Sequence, residues 1–230
     1  MKGPRLIIAL DEPDSDRIKL LLSQLSPNEC RIKIGHGLFT ALGPDIVKYV
    51  ISLGFDVFLD LKFHDIPQTV AKACESAAKL GVWMLNVHVA SGVDALSAAK
   101  EVLMASAKPP LLLGVTALTS LGAQDRLDLR WAADDIQEIV LAYAGLAKRF
   151  GLDGVVCSPQ ELRMLRKAYG SEFILLSPGI RPKLYGKDDQ KRTMTAEEAM
   201  LAGADYLVVG RPITCSDNPR QVVTDLMQVL

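Results

Sequence analysis

Residues 56–70 read DVFLDLKFHDIPQTV. Side chains along a strand point alternately to opposite faces. On that alternation Val57, Leu59, Leu61 and Phe63 form one apolar face, suited to packing against helices. Asp56, Phe58, Asp60 and Lys62 form the other, and Asp65 lies just beyond the strand. Charge is costly to bury unless it is paired. A strand carrying Asp60 and Lys62 on its inner face therefore asks for partners and a purpose.

The pattern around this strand repeats. Eight short apolar runs read as strands: 5–10, 31–35, 56–62, 83–88, 110–118, 154–157, 173–178 and 206–210. Helical stretches lie between them at 14–25, 43–53, 67–80, 91–105, 134–150, 159–168, 195–202 and 217–229. Ser158-Pro159 reads as a helix start, and Gly81 and Gly151 as helix stops. Strict strand–helix alternation implies a parallel sheet. Eight repeats in 230 residues fit a closed (β/α)8 TIM barrel, a single α/β domain over residues 1–230. An open doubly wound sheet is the alternative. The longest irregular pieces, 117–133 and 178–194, each follow a strand, on the face where barrel enzymes build their sites.

Other strands place polar residues at the same end. Asp11 follows Ile7 and Ala9 on the first; Arg31, Lys33 and Gly35 share a face of the second. Met84, Asn86 and His88 align on the fourth, and Leu207, Val209 and Arg211 on the eighth. Five strands thus begin apolar and end polar, which points to a catalytic face at their C-terminal ends.

Composition narrows the function. Hydrophobic residues make up 49 % of the chain and the net charge is −1, so no basic footprint suggests nucleic acid. No apolar run reaches the roughly 18 residues of a membrane span. The opening MKGPRLIIALDEP meets Asp11 and Glu12 with no small-residue cleavage site, and reads as a first strand. Cys30, Cys74, Cys157 and Cys215 are scattered without a CxxC pair, as expected of reduced thiols in a cytoplasmic protein.

Lys33, Asp60, Lys62 and Asp65 form a candidate array of alternating charge. A lysine beside a carboxylate stays protonated. Held in place, it can donate a proton or stabilise negative charge on a reacting atom. At an effective dielectric of about 20, unit charges roughly 4 Å apart interact by about 4 kcal/mol, some three powers of ten in rate. Magnesium wants oxygen ligands, and the two lysines would sit where such an ion should be. His36, His64 and His88 lack a ligand spacing. No metal is expected. In ADYLVVGRPIT (204–214), Gly210 allows close backbone approach and Arg211 offers a planar fork of donors, a suitable grip for phosphate at the end of strand eight. The stretch 177–193, with Arg181 and Gln190, admits two readings, a solvated surface loop or a lid that closes over a phosphorylated substrate.

DLKFHDIPQTV resembles the DxKxxDIPxT signature of the orotidine 5′-phosphate decarboxylase family, bacterial type. The resemblance spans nearly the whole chain: IIALD, RIKIG, VHVASG, GVTALTS, SPGIR with the later Gln190, and VVGRPIT recur in order. It implies decarboxylation of orotidine 5′-phosphate to uridine 5′-phosphate, the last step of de novo UMP synthesis, without metal or cofactor. It implies that Lys62 protonates C6, that Asp60 sits beside the departing carboxylate, and that Lys33 completes the array and touches the ribose. Asp11 would bind ribose, and Thr119 and Ser120 would face the pyrimidine. Arg181, Gln190, Gly210 and Arg211 would bind phosphate, with Gln190 also bridging to the base and Pro178 joining the substrate-binding set. Asp65 and Thr69 would reach into the neighbouring site of a homodimer. Two alternatives stand beside this. Magnesium-dependent sugar-phosphate lyases of the same superfamily share the DxKxxD motif but carry an acidic residue where this chain has Lys33. A non-catalytic barrel binding a phosphorylated ligand is the other.

Overall fold

The structure, a computed structural model, describes residues 3–131, 135–181 and 193–230. Eight parallel strands close into a barrel in sequence order: β1 (Leu6–Leu10), β2 (Cys30–Gly35), β3 (Val57–Phe63), β4 (Met84–His88), β5 (Leu111–Val115), β6 (Gly154–Val156), β7 (Ile174–Ser177) and β8 (Tyr206–Val209). β8 pairs back onto β1, so no strand edge is left open.

The expected helices form as α1 (Ser15–Ser23), α3 (Pro44–Ser52), α4 (Pro67–Lys79), α5 (Val93–Met104), α7 (Ile136–Arg149), α8 (Leu162–Tyr169), α9 (Ala196–Leu201) and α11 (Pro219–Met227). Proline at the first position opens α3, α4 and α11, where its missing N–H costs nothing. Gly81 and Gly151, at φ 84° and 74°, take the left-handed turns that end α4 and α7. Three short helices lie where loops were expected: α2 (His36–Leu42), α6 (Ala123–Asp128) and α10 (Arg211–Thr214). The piece 117–133 is therefore not wholly irregular.

Strand alternation sorts the apolar residues into two cores. Val57, Leu59, Leu85, Leu112, Val155 and Leu175 face outward and pack under the helices. Ile7, Ala9, Phe58, Met84, Leu113, Leu176, Tyr206 and Val208 fill the barrel interior. The eighth strand corrects the sequence reading. Leu207 and Val209 belong to the outer core, while Tyr206 and Val208 point inward. Arg211 does not share a face with Leu207 and Val209 by strand alternation, because the chain leaves extended geometry at Gly210 (φ −110°, ψ −107°) and enters α10.

A buried cation closes the N-terminal end of the barrel. Arg31 of β2 is only 4 % exposed, and its Nε donates to Asp56 Oδ2 at 3.0 Å. Its guanidinium lies 4.0 Å from the Trp83 ring centre and 5.4 Å from that of Tyr206, and also donates to the Pro4 carbonyl. Paired, hydrogen-bonded and stacked, this charge is a plug that separates solvent at the bottom from the open C-terminal end.

Candidate active site

The C-terminal end of the barrel holds a cleft of about 230 Å³. Its floor is the top of the inner core, Ala9, Phe58, Val156, Leu176 and Val208. Its walls carry Asp11, Lys33, Asp60, Lys62, Thr119, Pro178, Gly179, Arg181, Gly210 and Arg211. Four cationic side chains thus meet two carboxylates, an excess of two positive charges suited to a polyanionic ligand. A larger cleft of about 700 Å³ lies over α9, α10 and α11 and shares only Arg181 and Arg211 with the first. The site is assigned to the smaller cleft, because the strand ends and the buried charges converge there.

Asp60 is the centre. It is 7 % exposed, and both its oxygens are taken by ammonium groups. Lys62 Nζ donates to Oδ1 at 2.7 Å, and Lys33 Nζ lies 3.1 Å from Oδ2. Lys33 also reaches Asp11 Oδ1 at 3.8 Å. Burial pushes the Asp60 carboxyl up, but the charges of Lys33 and Lys62, with hydrogen bonds from Lys62 and Asn86, outweigh it and hold it below the ordinary value. Gly35 keeps room for this pairing: a Cβ there would stand 3.2 Å from Lys33 Nζ.

Lys62 reaches the cleft by an unusual backbone. Its φ is 44°, rare for a residue with a side chain. The β3–β4 register also slips here: Leu59 pairs with Leu85, yet Phe63 pairs with Val87. Four steps on β3 match two on β4. The surplus of two leaves the alternation unbroken, so Lys62 stays on the inner side as the sequence pattern expects.

Asn86, aligned with Met84 on β4, is a site residue that the pattern of charges does not reveal. It is fully buried, donates from Nδ2 to Asp60 Oδ1 at 2.7 Å and accepts from the Lys62 backbone N–H at 2.8 Å. The sequence signal was available: an amide in the middle of a wholly buried strand needs polar partners.

Of the remaining expected residues, Asp11, Thr119, Pro178, Arg181, Gly210 and Arg211 line the cleft. Ser120 is exposed and outside its lining. Asp65 and Thr69 are exposed and sit apart from Asp60, in a neighbouring cleft of about 330 Å³ that also includes His36, Lys62 and His64. Within one chain, then, the four-charge array is Asp11–Lys33–Asp60–Lys62, without Asp65. Gln190 lies outside the described residues. His88 is outside the cleft lining, and its ring centre lies 5.0 Å from that of His64. Burial, then the charges of His64, Lys62 and His36, push its pKa down to about 4 against the pull of Asp60, so it is neutral at neutral pH. Among the described residues no cluster of His, Cys, Asp and Glu could hold a metal ion, and no helix is long and apolar enough to cross a membrane. All four cysteines are free.

A sequence model of the "Orotidine 5'-phosphate decarboxylase / HUMPS family" matches residues 4–226. The chain is 51 % identical over 226 residues to an orotidine 5′-phosphate decarboxylase of Pseudoalteromonas translucida, covering 98 % of this chain and 96 % of the relative. It is 50 % identical over 226 residues to one of Saccharophagus degradans, covering 97 % and 93 %. The crystal structure of orotidine 5′-phosphate decarboxylase from Lactobacillus acidophilus superposes with a TM-score of 0.85 at 35 % identity, over 99 % of this chain and 98 % of that one.

Proposed function

Because the chain belongs to the orotidine 5′-phosphate decarboxylase / HUMPS family, we propose that it converts orotidine 5′-phosphate to uridine 5′-phosphate and CO2, closing de novo UMP synthesis. One observation carries the mechanism: two ammonium groups grip the two oxygens of a single buried carboxylate at the strand ends. The C6–carboxylate bond breaks and its electron pair stays on C6. Lys62 Nζ donates a proton to C6, and the neutral amine recovers a proton from water. Asp60 sits beside the substrate carboxylate, and that crowding ends as CO2 leaves. Lys33 holds Asp60 and reaches the ribose, which Asp11 also binds. The fixed charges stabilise the electron pair on C6 without having to reorganise.

Thr119, with Ser120 beside it, faces the pyrimidine. Arg181, Gly210, Arg211 and Gln190 take the phosphate, with Pro178 shaping the approach. Asp65 and Thr69, exposed on their own chain, serve the site of a second copy, so the working unit is a homodimer of 1–230 catalytic domains in the cytoplasm. No metal or cofactor enters this reading: with both Asp60 oxygens engaged by lysines, the donor set suits an anion better than a divalent cation. The same pairing disfavours the magnesium-dependent sugar-phosphate lyases, which need an acidic residue in place of Lys33. The test is turnover of orotidine 5′-phosphate by the wild-type chain and by Lys62→Ala. The variant is expected to fold and to lose nearly all activity. Substantial residual turnover would remove Lys62 as the proton donor.

A further inference from the structure

Asn86 is engaged twice, and both bonds end on residues of the charge array. Its Oδ1 accepts from the Lys62 N–H at 2.8 Å, which fixes the amide orientation and leaves Nδ2 to donate to Asp60 Oδ1 at 2.7 Å. Asn86 is fully buried. The residue it holds by the backbone is the one with φ 44°, at the point where β3 slips against β4. Backbone strain of this kind persists only where the surroundings over-determine it. An ordinary ladder bond cannot do this here, because the register is lost between Leu59 and Phe63. The side chain of Asn86 stands in for the missing ladder partner. At its other end it occupies the side of Oδ1 that Lys62 Nζ does not, so the carboxylate has one orientation rather than two.

We propose that Asn86 is a positioning residue of this site: it locks the left-handed turn at Lys62 and the rotamer of Asp60 together, setting the distance between the ammonium group and the carboxylate. The proposal rests on the decarboxylase reading for its kinetic consequence, though not for its structural one. Asp60 is faced by Lys33 on β2, with Asp11 of the β1 loop behind it, and by Lys62 on its own strand. From β4 it is faced by Asn86 and His88, with His64 and His36 beyond. Of these, Asn86 is the uncharged group that hydrogen-bonds the carboxylate, and its bond favours the ionised form.

The experiment compares wild type with Asn86→Ala and the near-isosteric Asn86→Asp. Two readouts are used: the pH profile of kcat/KM, and a carbon NMR titration of the Asp60 carboxyl, which needs no turnover. In Asn86→Ala, kcat/KM falls by about 10- to 100-fold, the rate equivalent of one charge-assisted hydrogen bond. The Asp60 titration and the acidic limb of the profile both move to higher pH. In Asn86→Asp they move further, because a carboxylate replaces the donor. Wild-type kcat/KM and an unmoved Asp60 titration in folded Asn86→Ala would overturn the proposal. If Asn86→Ala does not fold, an unmoved titration in Asn86→Asp would overturn it equally. Inactivity of the wild-type chain on orotidine 5′-phosphate would strike the functional reading, while the titration would still decide the role of Asn86.

Discussion

Asp60→Asn is the perturbation that isolates the array. The carboxylate oxygens lie 2.7 Å from Lys62 Nζ and 3.1 Å from Lys33 Nζ, so at an effective dielectric of about 20 the gross attractions are about 6 and 5 kcal/mol. Most of that offsets desolvation, and breaking such a buried pair costs a net ~3 kcal/mol or more. Asparagine nearly preserves the volume but turns an N–H donor toward one of two ammonium groups. Within one chain, what remains to compensate them is Asp11, 3.8 Å from Lys33 and with a side chain 66 % exposed, which contributes little. For a chain of this size about 3 kcal/mol corresponds to a fall in Tm of about 6–12 °C. Thermal unfolding at neutral pH followed by circular dichroism measures it. A double-mutant cycle with Lys62→Met, which removes one of the stranded charges, should recover about 1 kcal/mol or more. The effect has a definite pH dependence. Asp60 titrates below its ordinary value of 3.8 in the folded protein, so its stabilisation is fully present above that value and is lost as the pH falls through the lower, folded one. The gap between wild type and Asp60→Asn should therefore be constant near neutrality and close in acid. A melting temperature within 2 °C of wild type at neutral pH, or no coupling to Lys62→Met, would refute the reasoning.

Mixing inactive Lys62→Ala with inactive Asp65→Ala subunits should restore some turnover, because a hybrid dimer rebuilds one intact site; no recovery under confirmed subunit exchange would contradict the loan of Asp65. Alkylation of the native protein at pH 8 should label Cys215 alone. Cys215 is exposed, whereas Cys30 and Cys74 are buried with thiols pushed up to about 12 and the buried Cys157 is raised as well; mass spectrometry of labelled peptides would show otherwise. Arg31→Met should lower stability by about 2 kcal/mol or more through the loss of the Asp56 pair and the Trp83 stack. It should leave kcat unchanged, since the plug lies at the other end of the barrel; a kcat loss in folded protein would contradict that separation.

The barrel was legible because its strands alternate cleanly. In 56–63 the period of two placed Asp60 and Lys62 inward, and the two-residue surplus against β4 happened to preserve that parity. Strand eight offers alternation no such guide. The run 206–210 is apolar on both faces, so alternation had nothing polar to anchor it, and the inner face was assigned one residue out. Helix α10 was legible in hindsight from Pro212 at its start, and α2 was hidden because it follows β2 with no intervening loop. Asp11, Lys33, Asp60, Lys62 and Arg211 are legible from strand-end position and charge, and Arg181 from its place in the long stretch after strand seven. Asn86 was passed over because an uncharged amide draws no attention in a charge count, although its complete burial makes it as demanding of partners as Asp60. Asp65 could not be placed by strand logic at all, since it lies past the strand and its proposed use is on another chain.

The most direct test of the central claim is the ultraviolet absorbance of orotidine 5′-phosphate on addition of the protein in excess EDTA. Rapid loss, with UMP and CO2 as the products, is the predicted result. No loss from a folded dimer, or loss only after magnesium is restored, would contradict a decarboxylation driven by the Lys33, Asp60 and Lys62 array.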